Sequence, residues 1–180
     1  MDSVKQFQTV LETRKTSTEA ALKLFDELDT VNLDFMMGQW QGEGLHTDHP
    51  MDGLLEALNW YGKQFIDADQ VHPLLFLDRY KNVFKVTPNP TLMKLAIPLN
   101  FPKNQAMQLL FRLSHPLIKT ETSKARLRMM EYRNKVSATM IYDYLPIHDT
   151  FRKIDENTVL GLMDFKSIKQ PFFFVLKRDV

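Results

Sequence analysis

The stretch Met37-Gly38-Gln39-Trp40-Gln41-Gly42-Glu43-Gly44 holds three of the chain's six glycines and one of its two tryptophans. A glycine-rich run can cradle phosphate when its backbone N–H groups open directly onto a helix. No Lys-Ser/Thr pair follows this one, and no helix pattern starts at once. Instead Trp40, Gly42 and Gly44 alternate with Gln39, Gln41 and Glu43, which is the period of a strand loosened by glycine. Such a strand coils tightly where a barrel closes, and an indole plugs the narrow end while its N–H takes one acceptor. A structural role is therefore expected for Trp40, with direct ligand contact as the alternative.

On the N-terminal side, Thr16 to Leu28 reads as a helix, because Ala20, Leu24 and Leu28 share a face with Ala21 and Phe25 beside them. Thr16-Ser17-Thr18-Glu19 fits a capping box at its start, and the segment 4–12 reads as a helical extension. On the C-terminal side, His46 to Pro50 reads as a turn. Met51 to Gln64 follows as a second short helix, with Leu54, Leu55, Leu58 and Tyr61 on one side. From Val71 the pattern becomes one of short alternating runs: Leu74–Leu77, Asn82–Val86, Leu92–Ile97, Met107–Leu113, Ala125–Tyr132, Val136–Tyr142, Phe151–Ile154, Thr158–Phe165 and Phe172–Lys177. Arg133-Asn134-Lys135 and Asp155-Glu156-Asn157 are hairpin-sized separators. The Pro-rich middle, 87–102, reads as loops at a barrel rim. Many short strands with helices confined to the N-terminal third predict a mainly β fold, a single antiparallel β-barrel with an N-terminal helix and a short helical lid.

The chain has 180 residues, 23 basic and 22 acidic side chains, and no cysteine. The near-zero balance argues against nucleic acid as a partner, since phosphate neutralisation needs a basic excess or stripe. Lys124-Ala125-Arg126-Leu127-Arg128 alternates as a half-buried strand does. Without cysteine there is no disulfide frame, thiolate nucleophile or Cys-ligated metal. No apolar run approaches the ~20 residues that span a bilayer, so no membrane span is expected and a soluble, cytoplasmic location is. The oligomeric state is left open.

Gly38-x-Trp40-x-Gly42, then His49-Pro50, Trp60-Tyr61-Gly62-Lys63 and the run Arg128-Met129-Met130-Glu131-Tyr132-Arg133 together resemble the GXWXG family, named for this signature. The chain's last part resembles the domain of unknown function fused to it, through Ser137–Asp143, Pro146–Lys153, Leu160–Asp164 and Phe172-Phe173-Phe174. The length of 180 residues, with no credible linker, fits one domain over residues 1–180. Its parts are an N-terminal helical segment at 1–35, the GXWXG region at 36–100 and a C-terminal region at 125–180 that completes the barrel. More distantly, the chain is similar to lipocalin and other calycin barrels, which carry Gly-x-Trp on the first strand, and to haem-binding nitrobindin-like barrels. In lipocalins this Trp lies beneath a basic residue of a late strand, a part that Lys177 or Arg178 would play here.

A barrel of this size has room for its side chains and one small ligand, and the aromatic content suits the lining. The polar block is Tyr142 to Arg152, where Tyr142, Asp143, His148, Asp149 and Arg152 surround one Pro-containing turn. An Asp held ionised by Arg152 would serve as base while Tyr142 or His148 donates a proton. The same groups also make a structural ion pair that fixes the corner. Asp164 ends an apolar run and reads either as a strand-end partner of Lys166 or as an interior acid opposite Arg128 or Lys63. Trp60, Tyr61 and Lys63 form a lid over the mouth, or a helix end capped by Gly62; Tyr132 and Trp40 complete the candidate ligand contacts. His46-Thr47-Asp48-His49 suggests a metal site, but i,i+3 histidines on an extended chain point to opposite faces, so no metal is expected. Haem would need His72, His115 or His148 as axial ligand, none of which maps onto the nitrobindin histidine, and no cofactor is expected. The expected partner is a small hydrophobic molecule, acted on by cofactor-free isomerase or lyase chemistry; a carrier or sensor and a protein-interaction module are the alternatives.

Overall fold

The computed structural model describes residues 9, 10, 12–88 and 105–179. In chain order they form α1 (Thr18–Glu27), β1 (Asp29–Thr30), α2 (Leu33–Met36), β2 (Gly38–Leu45), α3 (Leu54–Ala57), β3 (Trp60–Phe65), β4 (Val71–Leu77) and β5 (Val83–Lys85). Then follow α4 (Gln105–Ile118), β6 (Ala125–Tyr132), β7 (Lys135–Tyr142), β8 (Ile147–Asp155), β9 (Thr158–Phe165) and β10 (Ile168–Arg178). All ten strands join one sheet. With β1 attached to β8 and β5 to β4 as short additions, the other eight run β2-β3-β4-β6-β7-β8-β9-β10 and close through β10 on β2. The result is a closed antiparallel up-and-down barrel of calycin type.

Local chemistry accounts for the turns that make this meander. Arg133 and Asn134 both have positive φ, 51° and 60°, so the β6–β7 hairpin is a two-residue turn whose twist matches its strands. At the β8–β9 turn, Asp155 Oδ1 accepts from the Asn157 N–H at 2.8 Å.

Strand alternation then builds two apolar layers. Trp40, Phe65, Phe151, Phe172, Phe174 and Leu176 belong to the barrel interior. Leu45, Leu160, Leu162, Phe173 and Val175 lie on the outer wall, where Ala21, Leu24 and Phe25 of α1 cover them. Phe172-Phe173-Phe174 is an unbroken apolar run because both faces of β10 are buried there.

Several expectations need correction. The segment Met107–Leu113, expected as a strand, lies in α4; a short apolar run fits either state, and length favoured the helix. Met51 to Gln64 is not one helix but the single turn α3 followed by β3. The helix start is one residue later than the predicted box: Ser17 is the cap, its Oγ accepting from Ala20 N–H at 3.1 Å. The predicted strand Leu92–Ile97 and most of segment 4–12 lie outside the described residues. No helix of the described residues is long and apolar enough to cross a membrane.

Candidate functional site

Trp40 closes one end of the barrel. Its Nε1–H donates to Met36 O at 2.8 Å, and the Arg178 guanidinium lies 4.2 Å from its ring centroid. Arg178 in turn donates to Met37 O and Phe35 O, both at 2.8 Å, tying α2 to the last strand. Of the two residues expected over the indole, Arg178 takes the place; Lys177 faces Glu43 at 3.8 Å on the outside.

Beyond that plug the barrel holds a chamber of about 500 Å³. Its lid consists of α3 and α4, which contribute Leu54, Leu55, Leu110, Phe111, Ser114 and Ile118; the walls include Trp60, Leu74, Phe76, Met163, Phe172 and Phe174. Two charged side chains, Lys63 and Asp149, line this largely apolar space. Lys63 Nζ lies 2.8 Å from Asp149 Oδ2, and their side chains are 3% and 1% exposed. The ammonium also donates to Pro73 O at 3.1 Å and to Tyr142 Oη at 3.4 Å. It lies 5.0 Å from the Phe174 ring centroid and 5.7 Å from that of Trp60.

The sequence explains how a lysine comes to face inward. On an unbroken strand Trp60 and Lys63 would point to opposite faces. The β3–β4 register shifts on both sides of Gly62, whose φ is +150°. This irregularity resets the alternation, so Trp60, Lys63 and Phe65 all join the interior while Tyr61 stays outside. Two further glycines make space for the rings around Lys63. A Cβ on Gly42 would lie 2.3 Å from the Trp60 ring, and one on Gly161 the same distance from the Phe174 ring. The second glycine of the G-x-W-x-G signature is thus the seat of Trp60.

Burial raises the Asp149 carboxyl above its ordinary range, against the opposing charge and hydrogen bond of Lys63. Burial first and the Asp149 charge second hold the Tyr142 phenol well above its usual value, so it keeps its proton. Asp149 Oδ1 and Trp60 Nε1 are buried without a hydrogen-bond partner.

Four of the expected residues therefore meet: Tyr142 and Asp149, expected at the polar turn, and Trp60, expected with Lys63 as part of a lid, converge on Lys63. The others do not. Asp149 and Arg152 are three apart on β8 and face opposite sides. Arg152 is buried outside the barrel, its guanidinium 4.7 Å from the Phe25 ring centroid and bonded to Tyr132 O at 2.9 Å. The block read as one turn is strand β8 from Ile147 onward, and only Asp143 to Pro146 turn. Asp143 is on the surface, 2.9 Å from Arg126, and His148 takes the outward position of β8. Asp164 is exposed, opposite His148 rather than inside, and Arg128 pairs with Asp69 at 2.5 Å on the surface. Tyr132 packs at the outer layer under α1. Tyr61 bonds Asp179 and approaches Gln39 and Gln41 on the outer face. Of the other histidines singled out, His46 faces Glu56 at 3.2 Å and His49 Nε2 lies 3.2 Å from Gln170 O.

A closed barrel with a ligand-sized apolar chamber places the chain among the calycin-like barrels. The family model described as GXWXG protein matches residues 23–80, and Domain of unknown function (DUF4334) matches 123–178. The chain belongs to the GXWXG family with this fused C-terminal domain. A crystal structure of a protein from Thermomonospora curvata is 30% identical over 100% of both chains, with a TM-score of 0.73. No curated protein matches the chain. The two family regions are two parts of one barrel: β2, β3 and β4 come from the first, and β6 to β10 from the second.

Proposed function

We propose that the barrel binds one small, largely apolar organic molecule and moves a proton on it without a cofactor, as an isomerase or lyase does. The observation that carries this reading is the ion pair Lys63–Asp149 set in a largely apolar chamber of about 500 Å³, with one carboxylate oxygen unpaired. Chambers of this kind, apolar with a few convergent polar groups of perturbed acidity, are where small molecules bind and react. Lys63 holds Asp149 in place and opposes the burial that raises its carboxyl, while the raised carboxyl makes its unpaired Oδ1 a stronger base. Tyr142, too weak an acid to give up its proton, donates a hydrogen bond to oxygen as charge develops there. Asp149 takes a proton from the ligand and either returns it at a second position, an isomerisation, or leaves an electron pair that expels a leaving group, a lyase step.

The carrier reading is supported by the same wall, because nearly all the residues that face the chamber are carbon-rich side chains that hold rather than react. Exchange into deuterated water separates the two. The molecule that co-purifies with the protein from its own host is returned to fresh protein in D2O and its mass followed. Catalysed deuterium uptake that slows about 10- to 100-fold in Tyr142→Phe is expected for the enzyme. Binding with no uptake above the buffer rate leaves a carrier.

A further inference from the structure

A lysine inside an apolar barrel suggests a ligand with a carboxylate head, but the bonding around Lys63 says otherwise. An ammonium has three N–H donors. Lys63 directs its donors to Asp149 Oδ2 at 2.8 Å, Pro73 O at 3.1 Å and Tyr142 Oη at 3.4 Å. Its charge is matched as well, since among the described residues Lys63 and Asp149 are the charged side chains lining the chamber and their sum is zero. A ligand carboxylate would bring a negative charge with no lysine donor left to meet it. An ammonium would leave the chamber with an unmatched positive charge. Either is costly among carbon-lined walls.

The bonding capacity left over is mixed. Asp149 Oδ1 is a buried acceptor with no donor, and Trp60 Nε1 a buried donor with no acceptor. Tyr142 Oη accepts from Lys63, which leaves its own hydrogen to donate. All three side chains gather around the Lys63 ammonium: Asp149 Oδ2 and Tyr142 Oη lie 2.8 and 3.4 Å from Lys63 Nζ, and the Trp60 ring centroid lies 5.7 Å from it. An acceptor and two donors in a neutral site complement a group that donates once and accepts twice, which is a hydroxyl. Resting on the binding reading above, we infer that the ligand is an uncharged, largely apolar alcohol or enol. Its hydroxyl donates to Asp149 Oδ1 and accepts from Tyr142 and Trp60, and the site selects against fatty carboxylates and amines.

The test is displacement of N-phenyl-1-naphthylamine, an uncharged fluorophore, by 1-decanol, its methyl ether, decanoate and decylamine at neutral pH. The alcohol is expected to displace best. Methylation removes the donor that Asp149 Oδ1 needs and weakens binding by about tenfold or more; the charged probes are weaker by at least as much. In Lys63→Met/Asp149→Leu the fluorophore still binds and the preference for alcohol over ether is lost. Decanoate or decylamine binding tighter than the alcohol, an ether that binds equally well, or a preference that survives the double substitution overturns the inference. A fluorophore and probes that all fail to bind would bring down the binding reading itself, and this inference with it.

Discussion

A Cβ on Gly62 would lie 1.8 Å from the Trp40 carbonyl oxygen, and the φ of +150° is one that L side chains rarely adopt. Gly62→Ala is therefore expected to destabilise the protein by more than about 3 kcal/mol, measured by urea unfolding. A loss under 1 kcal/mol would show that β3 can run past Trp40 without the irregularity, on the order of an ordinary surface change. Lys63 and Asp149 form a second residue-scale test. Removing either partner leaves a buried charge alone and should cost about 3–5 kcal/mol, whereas Lys63→Met/Asp149→Leu should recover most of it, because an apolar pair suits an apolar chamber. Additive losses in the double variant would contradict that coupling. Individual site residues were partly legible in the sequence. Asp149 and Tyr142 are legible as members of a polar block gathered around one Pro-containing turn. The expectation that an Asp of this block pairs with Arg152 fails because a turn reading does not assign faces: on β8 Asp149 and Arg152 face opposite sides of the wall, and Asp143 pairs with Arg126 on the surface. The Lys63–Asp149 pair could not be read, since it depends on the altered alternation at Gly62 and on contact between residues far apart in the chain.

Among the elements, the seam between β4 and β6 is the thinnest part of the barrel: the ladder there comes down to Val71 opposite Ala125. Nearby α4 packs Phe111 against Phe76, ring centroids 4.9 Å apart, and His115 against Phe84 at 4.4 Å. Burial, then the charges of Lys85 for His72 and of Lys119 and Arg112 for His115, hold these two histidines below the ordinary value of 6.5. The folded state thus binds fewer protons than the unfolded one. Their contribution is complete above pH 6.5 and is lost as pH falls from there through the folded values. The melting temperature should accordingly drop as the pH is lowered from about 7.5 to about 5.5, with a smaller drop in His115→Phe. An unchanged slope in that variant would remove His115 from the account. Gly42→Ala belongs to the same scale. Its added methyl meets the Trp60 indole, so it should destabilise by about 1–3 kcal/mol and weaken binding of the apolar fluorophore. Strand β6 is legible from alternation, while β9 and β10 are legible as short apolar runs bounded by polar residues, because both of their faces are buried. The lid is not, since β3 follows a Leu54-Leu55-Leu58-Tyr61 spacing that imitates a helix, and α4 has an apolar run short enough to imitate a strand.

At the scale of the whole molecule, the barrel joins what the family descriptions divide. The ring closes only when β2 meets β10 and β4 meets β6, so each family region alone would present two open sheet edges. Residues 1–122 and 123–180 expressed separately should fail to fold, judged by the loss of dispersed amide resonances; a folded half would show that the barrel is two units after all. The closed barrel and its plugged end were anticipated from MGQWQGEG and its alternation, whereas the chamber's volume was not, because it depends on how α3 and α4 sit over the open end. Whether this chamber holds a small apolar molecule can be read from the mass of the intact protein purified from its own host under non-denaturing conditions. The account predicts a 1:1 adduct that is lost on unfolding and absent when the chamber is filled by Leu74→Trp and Met163→Trp together. A bare polypeptide mass for the native protein, with the fluorophore also excluded, would contradict it.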